Sequence, residues 1–309
     1  MLKTPKVIKM KKIAIIGLGV ISKNYLKGLR NSEYFELVSV CDRDENAKAR
    51  DFYSEYPFYT DYKKMIEVEK LDYVLIATPP LSHYQIAKDC LDLGVSVVIE
   101  KPIVVEKAHL SELVALAKRK GLVLYNLLHF QSASETVAFN KLYDPSKIQK
   151  IKVVIKDDYS DNGVSIKADR QGLYGVWFDS GSNSLSLIKT WLNFDTVEVG
   201  LIEKKLCTKT NYPIYIKANL KIDGVDVEIE VDWTKPINKK ITYLTYDGEE
   251  MVLDSSNQSI TYKGQTTCYD DMARLERHYY NFFTTYKGEE NTDSAIKLLD
   301  ALFVVNDQL

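Results

Sequence analysis

The sequence predicts an α/β protein: an N-terminal doubly wound parallel sheet of the Rossmann type, followed by an α+β domain with an open antiparallel sheet. Three observations predict it. Residues 1–128 alternate short, almost wholly apolar runs with amphipathic stretches, as in a parallel sheet covered on both faces. Residues 225–233 instead alternate strictly, with Val225, Val227, Ile229, Val231 and Trp233 set between Asp226, Glu228, Glu230 and Asp232. That is a strand with one buried and one wet face. Asp223-Gly224 and Asp247-Gly248 are hairpin turns, so neighbouring strands there run antiparallel.

In chain order, Ile13–Ile16, Leu37–Val40, Tyr73–Ile76, Val95–Ile99 and Leu122–Leu124 read as the parallel strands. Leu110, Leu113, Val114 and Ala117 share one face of a helix that Gly121 closes as C-cap. In the second half, Leu185, Ile188 and Leu192 mark a helix over Ser184–Leu192. Leu275, Tyr279, Phe282, Phe283 and Tyr286 mark another, and Ala295, Leu298, Leu299, Leu302 and Val305 the last. The expected division is a dinucleotide-binding domain at 1–128 and a substrate-binding and dimerisation domain at 129–309.

The 309 residues suffice for two cores. A net charge of -2 gives no reason to expect a nucleic-acid or membrane partner. The start, Met1–Lys12, carries five lysines, but the apolar run Ile13–Ile21 is too short to span a bilayer and no cleavage site follows. Neither Cys41, Cys90, Cys207 and Cys268 nor the four histidines show metal-ligand spacing, so no metal site is expected and a reducing cytoplasm is the simplest home. The 21 tyrosines read mainly as sheet packing, with sugar or interface contacts open for a few.

Three motifs carry chemistry. Gly17-Leu18-Gly19-Val20-Ile21-Ser22 lies between a strand and a helix. Gly17 permits a tight turn, and Gly19 lets the backbone approach a pyrophosphate. Asp42, 25 residues beyond Gly17, ends the second strand, where an acid accepts from both ribose hydroxyls and repels a 2′-phosphate. Arg43 beside it either stacks on adenine or pairs with that phosphate, or is a solvated surface charge. Thr78-Pro79 ends the third strand, and His83 follows it. Glu100-Lys101-Pro102 ends the fourth; it is a lysine facing the ligand crevice or, alternatively, a surface turn. Val20, Ile21, Asp42, Arg43, Thr78, Pro79, His83, Glu100 and Lys101 thus join the two glycines as candidate cofactor contacts. In the third motif, Val176–Asn183, Asp179 and Asn183 share a helix face; capping of that helix by Asp179 or Ser180 is the other reading.

Together and in this order, these motifs resemble the Gfo/Idh/MocA family of oxidoreductases, over essentially the whole chain. The resemblance implies NAD or NADP on the glycine turn, with NAD slightly favoured by Asp42, and Lys101 beside the nicotinamide and the reacting carbinol. The family's later Asp-x-Gly-x-His motif is matched by Asp179 and Gly181, but Asn183 stands at the histidine position. Asparagine cannot accept a proton at neutral pH. A narrower resemblance is to the L-arabinose and D-galactose 1-dehydrogenases, whose Phe-Asp-x-Gly-x-Asn-x-Leu-Ser pattern is matched by Phe178–Ser186. It implies sugar-holding roles for Asn183, for His129 and for Asp157 in Lys156-Asp157-Asp158. Leu128 replaces a tryptophan of that subgroup, and the segment between Asp158 and Gly172 diverges.

The function so implied is hydride transfer from C1 of an aldose pyranose, such as D-galactose, D-fucose or L-arabinose, to a nicotinamide, giving an aldonolactone. Asp179 would take the proton and Lys101 would orient the anomeric oxygen, or itself act as base. Two alternatives stay open: oxidation of another sugar, modified sugar or cyclitol on the same scaffold, and a non-catalytic sugar or nucleotide sensor. A homodimer or higher homo-oligomer is expected.

Overall fold

The computed structural model describes residues 9–49 and 51–309; Met1–Ile8 of the basic start lie outside the described residues. The first sheet holds β1 (Lys11–Ile16), β2 (Phe35–Cys41), β3 (Phe58–Tyr59), β4 (Tyr73–Ile76), β5 (Ser96–Glu100) and β6 (Leu124–Leu127). Its order is β3-β2-β1-β4-β5-β6, and every pair is parallel. Every residue of β4 and β5 is buried, as their unbroken apolar runs require. The order reverses between β1 and β4, the switch point at whose carboxyl ends sheets of this kind bind ligands.

Around this sheet lie α1 (Leu26–Arg30), α2 (Tyr62–Glu69), α3 (His83–Asp92) and α4 (Lys107–Lys120). Gly121 closes α4 at φ 64°, the left-handed conformation that glycine adopts without strain. The expected strand Leu122–Leu124 begins later, at Leu124, because the Leu122 N–H is spent on the Ala117 carbonyl of the α4 terminus (3.0 Å). The edge strand β3 was not anticipated; two residues are too short for periodicity to register.

Beyond β6 come α5 (Ser134–Leu142), β7 (Ile148–Lys156), a small hairpin of β8 (Ser160–Asp161) and β9 (Ser165–Ile166), and α6 (Ser182–Ile188). Seven strands follow: β10 (Val197–Leu206), β11 (Pro213–Ile222), β12 (Val225–Asp232), β13 (Lys239–Tyr246), β14 (Glu249–Asp254), β15 (Ser259–Tyr262) and β16 (Gln265–Cys268). Helices α7 (Arg274–Thr285) and α8 (Thr292–Asn306) end the chain. The large sheet runs β10-β11-β12-β7-β13-β14-β15-β16. It is antiparallel except where β12 lies parallel to β7. The exception arises because β7, earlier in sequence, is inserted between β12 and β13. Both expected hairpin turns form, with Asp223 and Asp247 at φ 51° and 52° followed by Gly224 and Gly248 at 83° and 81°.

The inner face of this sheet, including Ile151, Val153, Ile216, Ile229 and Leu244, is sealed by α5, α6 and α8. The outer face of β7, β12 and β13 carries Lys152, Lys156, Glu228, Glu230 and Tyr243, with Lys156 Nζ 2.8 Å from Glu230 Oε1. Helix α7 turns away from this sheet. Its Tyr279, Phe282, Phe283 and Tyr286 pack with Tyr25, Phe35 and Leu75 of the first domain. Gly28 makes that approach possible, since a Cβ there would lie 2.8 Å from the Tyr279 carbonyl. No helix among the described residues is long and apolar enough to cross a membrane.

Candidate active site

The candidate site gathers the turns that end β1, β4 and β5. Gly17, at φ 98°, is held so close to β4 that a Cβ would meet Ala77 and Thr78 backbone atoms at 2.8 Å. A Cβ on Gly19 would meet nothing within 4 Å, so the turn presents bare backbone to open space, as a cradle for a pyrophosphate must. Val20 is 68% exposed and Ile21 half-buried at its rim. The third small residue, Ser22, is fully buried and donates to the Gly19 carbonyl (2.8 Å). Asp42 accepts from the Leu18 N–H (2.8 Å) and the Asp44 N–H (3.0 Å), so the acid braces the turn it faces. Arg43 is exposed. Thr78 accepts from Ser82 Oγ (2.7 Å), and Pro79 is exposed. The short 3-10 turn Ala168–Leu173, within the divergent segment, packs over the turn beyond Pro79, with Gly172 nearest Pro79.

Two of the candidate cofactor contacts are corrected. Glu100 is 6% exposed and points into the protein, where it accepts from Tyr25 Oη (2.9 Å), Tyr279 Oη (2.7 Å) and the Lys101 N–H (3.2 Å). Burial pushes its carboxyl up, against the pull of those hydroxyls. Its part is to anchor the end of β5 to α7. His83 is fully buried, with Nε2 2.7 Å from the Thr78 carbonyl and Nδ1 2.9 Å from the Pro102 carbonyl. It clasps the turns after β4 and β5 together, with both ring nitrogens on backbone carbonyls. A neutral ring donates to only one of these two acceptors, and burial holds the ring below its ordinary pKa.

At the centre, the Lys101 ammonium is ion-paired with Asp179 Oδ1 and lies 3.3 Å from the Asp179 carbonyl. The two side chains are 11% and 13% exposed. The peptide bond from Lys101 to Pro102 is cis. Asp179 sits in a π-helical turn, Trp177–Gly181, whose wider spacing ends where α6 begins. The expected helix is thus shifted: it starts earlier and stops at Ile188 rather than Leu192. The ring of Trp177, fully buried, lies under this turn and explains Gly181, where a Cβ would come within 2.6 Å of it. Asn183 follows one turn beyond Asp179 and leaves its Oδ1 buried with no hydrogen-bond partner among the described residues.

Asp157 and His129 each make contacts within the protein. Asp157 accepts from Lys240 Nζ (2.6 Å) and Ser180 Oγ (3.2 Å), and Ser180 accepts in turn from Trp233 Nε1 (3.2 Å). His129 Nδ1 lies 3.0 Å from His278 Nδ1. Asp157 is thus paired with Lys240, and its carboxylate keeps lone pairs with which a sugar hydroxyl could bond. Lys240, Ser180, Trp233, Arg274 and His278 were missed as part of the site. Lys240 had a signal: on β13 it shares the inward face with Thr242, Leu244 and Tyr246, where a lysine must find an acid. Arg274 and His278 are one helical turn apart at the start of α7, a spacing indistinguishable from ordinary helix surface.

The fold and the site define a two-domain protein with a bare glycine turn after β1 and a lysine–aspartate pair at the end of β5. The family model of the Gfo/Idh/MocA oxidoreductases, described as the NAD-binding Rossmann fold of that oxidoreductase family, matches residues 11–127. Over those residues the chain is similar to the NAD-binding Rossmann domain of that family. The chain is 30% identical over 138 residues to a D-apiose dehydrogenase of Paraburkholderia graminis, covering 43% of this chain and 37% of that protein. Among solved structures it resembles KijD10, a 3-ketoreductase from Actinomadura kijaniata in complex with NADP, with a TM-score of 0.79, 14% identity and 97% of each chain covered. It also resembles GenD2 from gentamicin A biosynthesis in complex with NAD, with a TM-score of 0.77, 16% identity and 98% and 95% covered. At such identities these likenesses show the fold. The chain spans from about a third to about half the length of the curated relatives it matches.

Proposed function

We propose that this chain is an NAD(P)-dependent sugar oxidoreductase that takes hydride from C1 of an aldose pyranose and yields an aldonolactone. The observation that supports it best is the nearly buried Lys101–Asp179 pair, set where the carboxyl end of β5 meets the second domain. The bare turn at Gly19, braced by Asp42, suits a dinucleotide, with Val20, Ile21, Thr78 and Pro79 along its course. When bound, the nicotinamide supplies the hydride acceptor. Asp179 takes the proton of the anomeric hydroxyl, and the Lys101 ammonium favours the negative charge that develops on that oxygen. A hemiacetal hydroxyl is more acidic than an ordinary alcohol, so the reaction does not need the histidine that Asn183 replaces. The Oδ1 of Asn183, unpartnered among the described residues, is a ready acceptor for a sugar hydroxyl.

A homodimer through the outer face of the large sheet accompanies this reading. Lys and Glu residues interleave there and already pair within the chain, so two copies can meet without burying unmatched charge. Light scattering at micromolar concentration tests it; one species of 35.4 kDa refutes it. The enzymatic reading is tested by cofactor reduction with a panel of aldoses, nucleotide-linked sugars and cyclitols. Reduction by free aldoses with lactone as first product supports it. Reduction only by nucleotide-linked sugars or cyclitols moves the reaction to another carbon, and binding without turnover leaves a sensor.

A further inference from the structure

The histidine pair behind the site fixes a detail of recognition that the motifs do not. His129, in the turn after β6, is 5% exposed, and His278, on α7, is fully buried. Their Nδ1 atoms are 3.0 Å apart. Two imidazole nitrogens bond only when one carries a proton and the other a bare lone pair, so the two rings must hold opposite tautomers.

Two arrangements satisfy that bond, and the surroundings separate them. His278 Nε2 is sealed from solvent and has no hydrogen-bond partner among the described residues. Were His129 the donor, the proton of His278 would sit on that Nε2 as a buried, unpaired N–H, the kind of orphan folded proteins avoid most. With His278 as donor, only a bare lone pair is left there. The proton of His129 then sits on its own Nε2. That atom is not sealed from solvent and makes no hydrogen bond among the described residues, so it is the end of the pair left free for a ligand.

We propose that His278 is a positioning residue that locks the tautomer of His129, so that His129 presents Nε2–H to an oxygen of the substrate. The argument needs neutral rings, and burial supplies them. It depresses both histidines, helped for His129 by His278, Lys101, Arg274 and Lys240 and for His278 by Arg274. The His129 ring packs against Tyr279, centroids 5.4 Å apart, and Tyr279 bonds Glu100, the chain neighbour of Lys101. The oxygen that His129 meets must therefore accept. A hydroxyl bound there directs its own proton elsewhere, and His129 itself takes no proton in the reaction. That the oxygen belongs to a sugar rests on the function proposed above; the tautomer does not.

Long-range 1H–15N NMR of the substrate-free wild-type protein at neutral pH tests the tautomer directly, with His129→Asn and His278→Asn spectra to assign the rings. The expected result is a proton on Nε2 and a bare Nδ1 for His129, with the reverse for His278. The opposite assignment, or a doubly protonated ring in either residue, overturns the proposal. In the enzyme, His278→Leu should raise the sugar KM by ~10-fold with a smaller change in kcat, as for one lost hydrogen bond. His278→Asn, whose amide can donate to His129 Nδ1, should restore KM to within ~3-fold, less than half a unit of affinity on the logarithmic scale. Equal losses in both variants refute positioning through that bond. If no sugar is turned over, the function proposed above fails, and the NMR result still decides the tautomer.

Discussion

Tyr279→Phe separates an anchoring role for Glu100 from a cofactor-binding one. The Glu100 carboxylate is buried and held by Tyr25, Tyr279 and the Lys101 N–H, with the Tyr279 hydroxyl nearest at 2.7 Å. Removing a hydrogen bond to a buried charged acceptor costs ~1.5–3 kcal/mol. At ~2–4 °C per kcal/mol for large domains, Tm should fall by ~3–12 °C. Losing that donor also drives the already raised Glu100 carboxyl higher, since hydroxyl bonds are what favour its ionised form. Tyr25→Phe should act similarly, and the double variant should lose less than the sum, with a coupling of at least ~0.5 kcal/mol, because both hydroxyls serve one acceptor. The end of β5 loosens, so kcat should fall by up to ~10-fold through misplacement of Lys101. Dinucleotide affinity should stay within ~2-fold, a change too small to mark a lost contact. Thermal melts, steady-state kinetics and calorimetric titration of the dinucleotide measure these quantities. A Tm change under ~1 °C would refute the anchoring argument, since it is well below one such hydrogen bond. A tenfold loss of dinucleotide affinity would return Glu100 to the cofactor site.

Further predictions concern the pair, the cofactor and pH. Lys101→Ala should lower turnover by ~10²-fold or more while changing dinucleotide affinity much less; wild-type turnover would remove the lysine from the mechanism. Asp42→Ala should shift preference toward NADP, because an acid facing the ribose is lost, and it should also lower Tm through the freed Leu18 N–H. Unchanged NAD/NADP selectivity by calorimetry contradicts that placement. His83, His129 and His278 are all depressed by burial. A folded pKa below the unfolded value of ~6.5 contributes stability above that pH, and this is lost as pH falls through it. Glu100 and Glu135, raised by burial, act in the opposite sense, so the test is a difference. His278→Asn should lose less Tm than wild type between pH 7 and pH 5.5, and parallel curves would refute the assignment.

The layered fold was legible because its signals are periodic. β4 and β5 are buried on both faces and read as unbroken apolar runs, while β12 has one wet face and alternates. The parallel placement of β7 beside β12 was not legible, since pairing between strands far apart leaves no local mark. Of the candidate site, Gly17, Gly19 and Lys101 stood out because backbone approach and a charge at a strand end demand particular residue types, and Asp179 and Asn183 through a shared helix face and a family motif; their roles are proposals. Glu100 and His83 lie in the same motifs, yet their side chains turn inward, and composition does not encode that direction. Partners such as Lys240 and His278 come from strands and helices more than 80 residues away from the groups they touch. Only the folded chain brings them together.

The most direct test of the central claim uses a reacting aldose deuterated at C1 alone, with mass spectrometry of the nicotinamide and NMR of the first product. Hydride removal from C1 predicts deuterium on the reduced nicotinamide, a slowed hydride-transfer step and an aldonolactone that has lost the label. Reduced nicotinamide without deuterium, alongside a product that keeps the label at C1, would contradict the account and place the oxidation at another carbon.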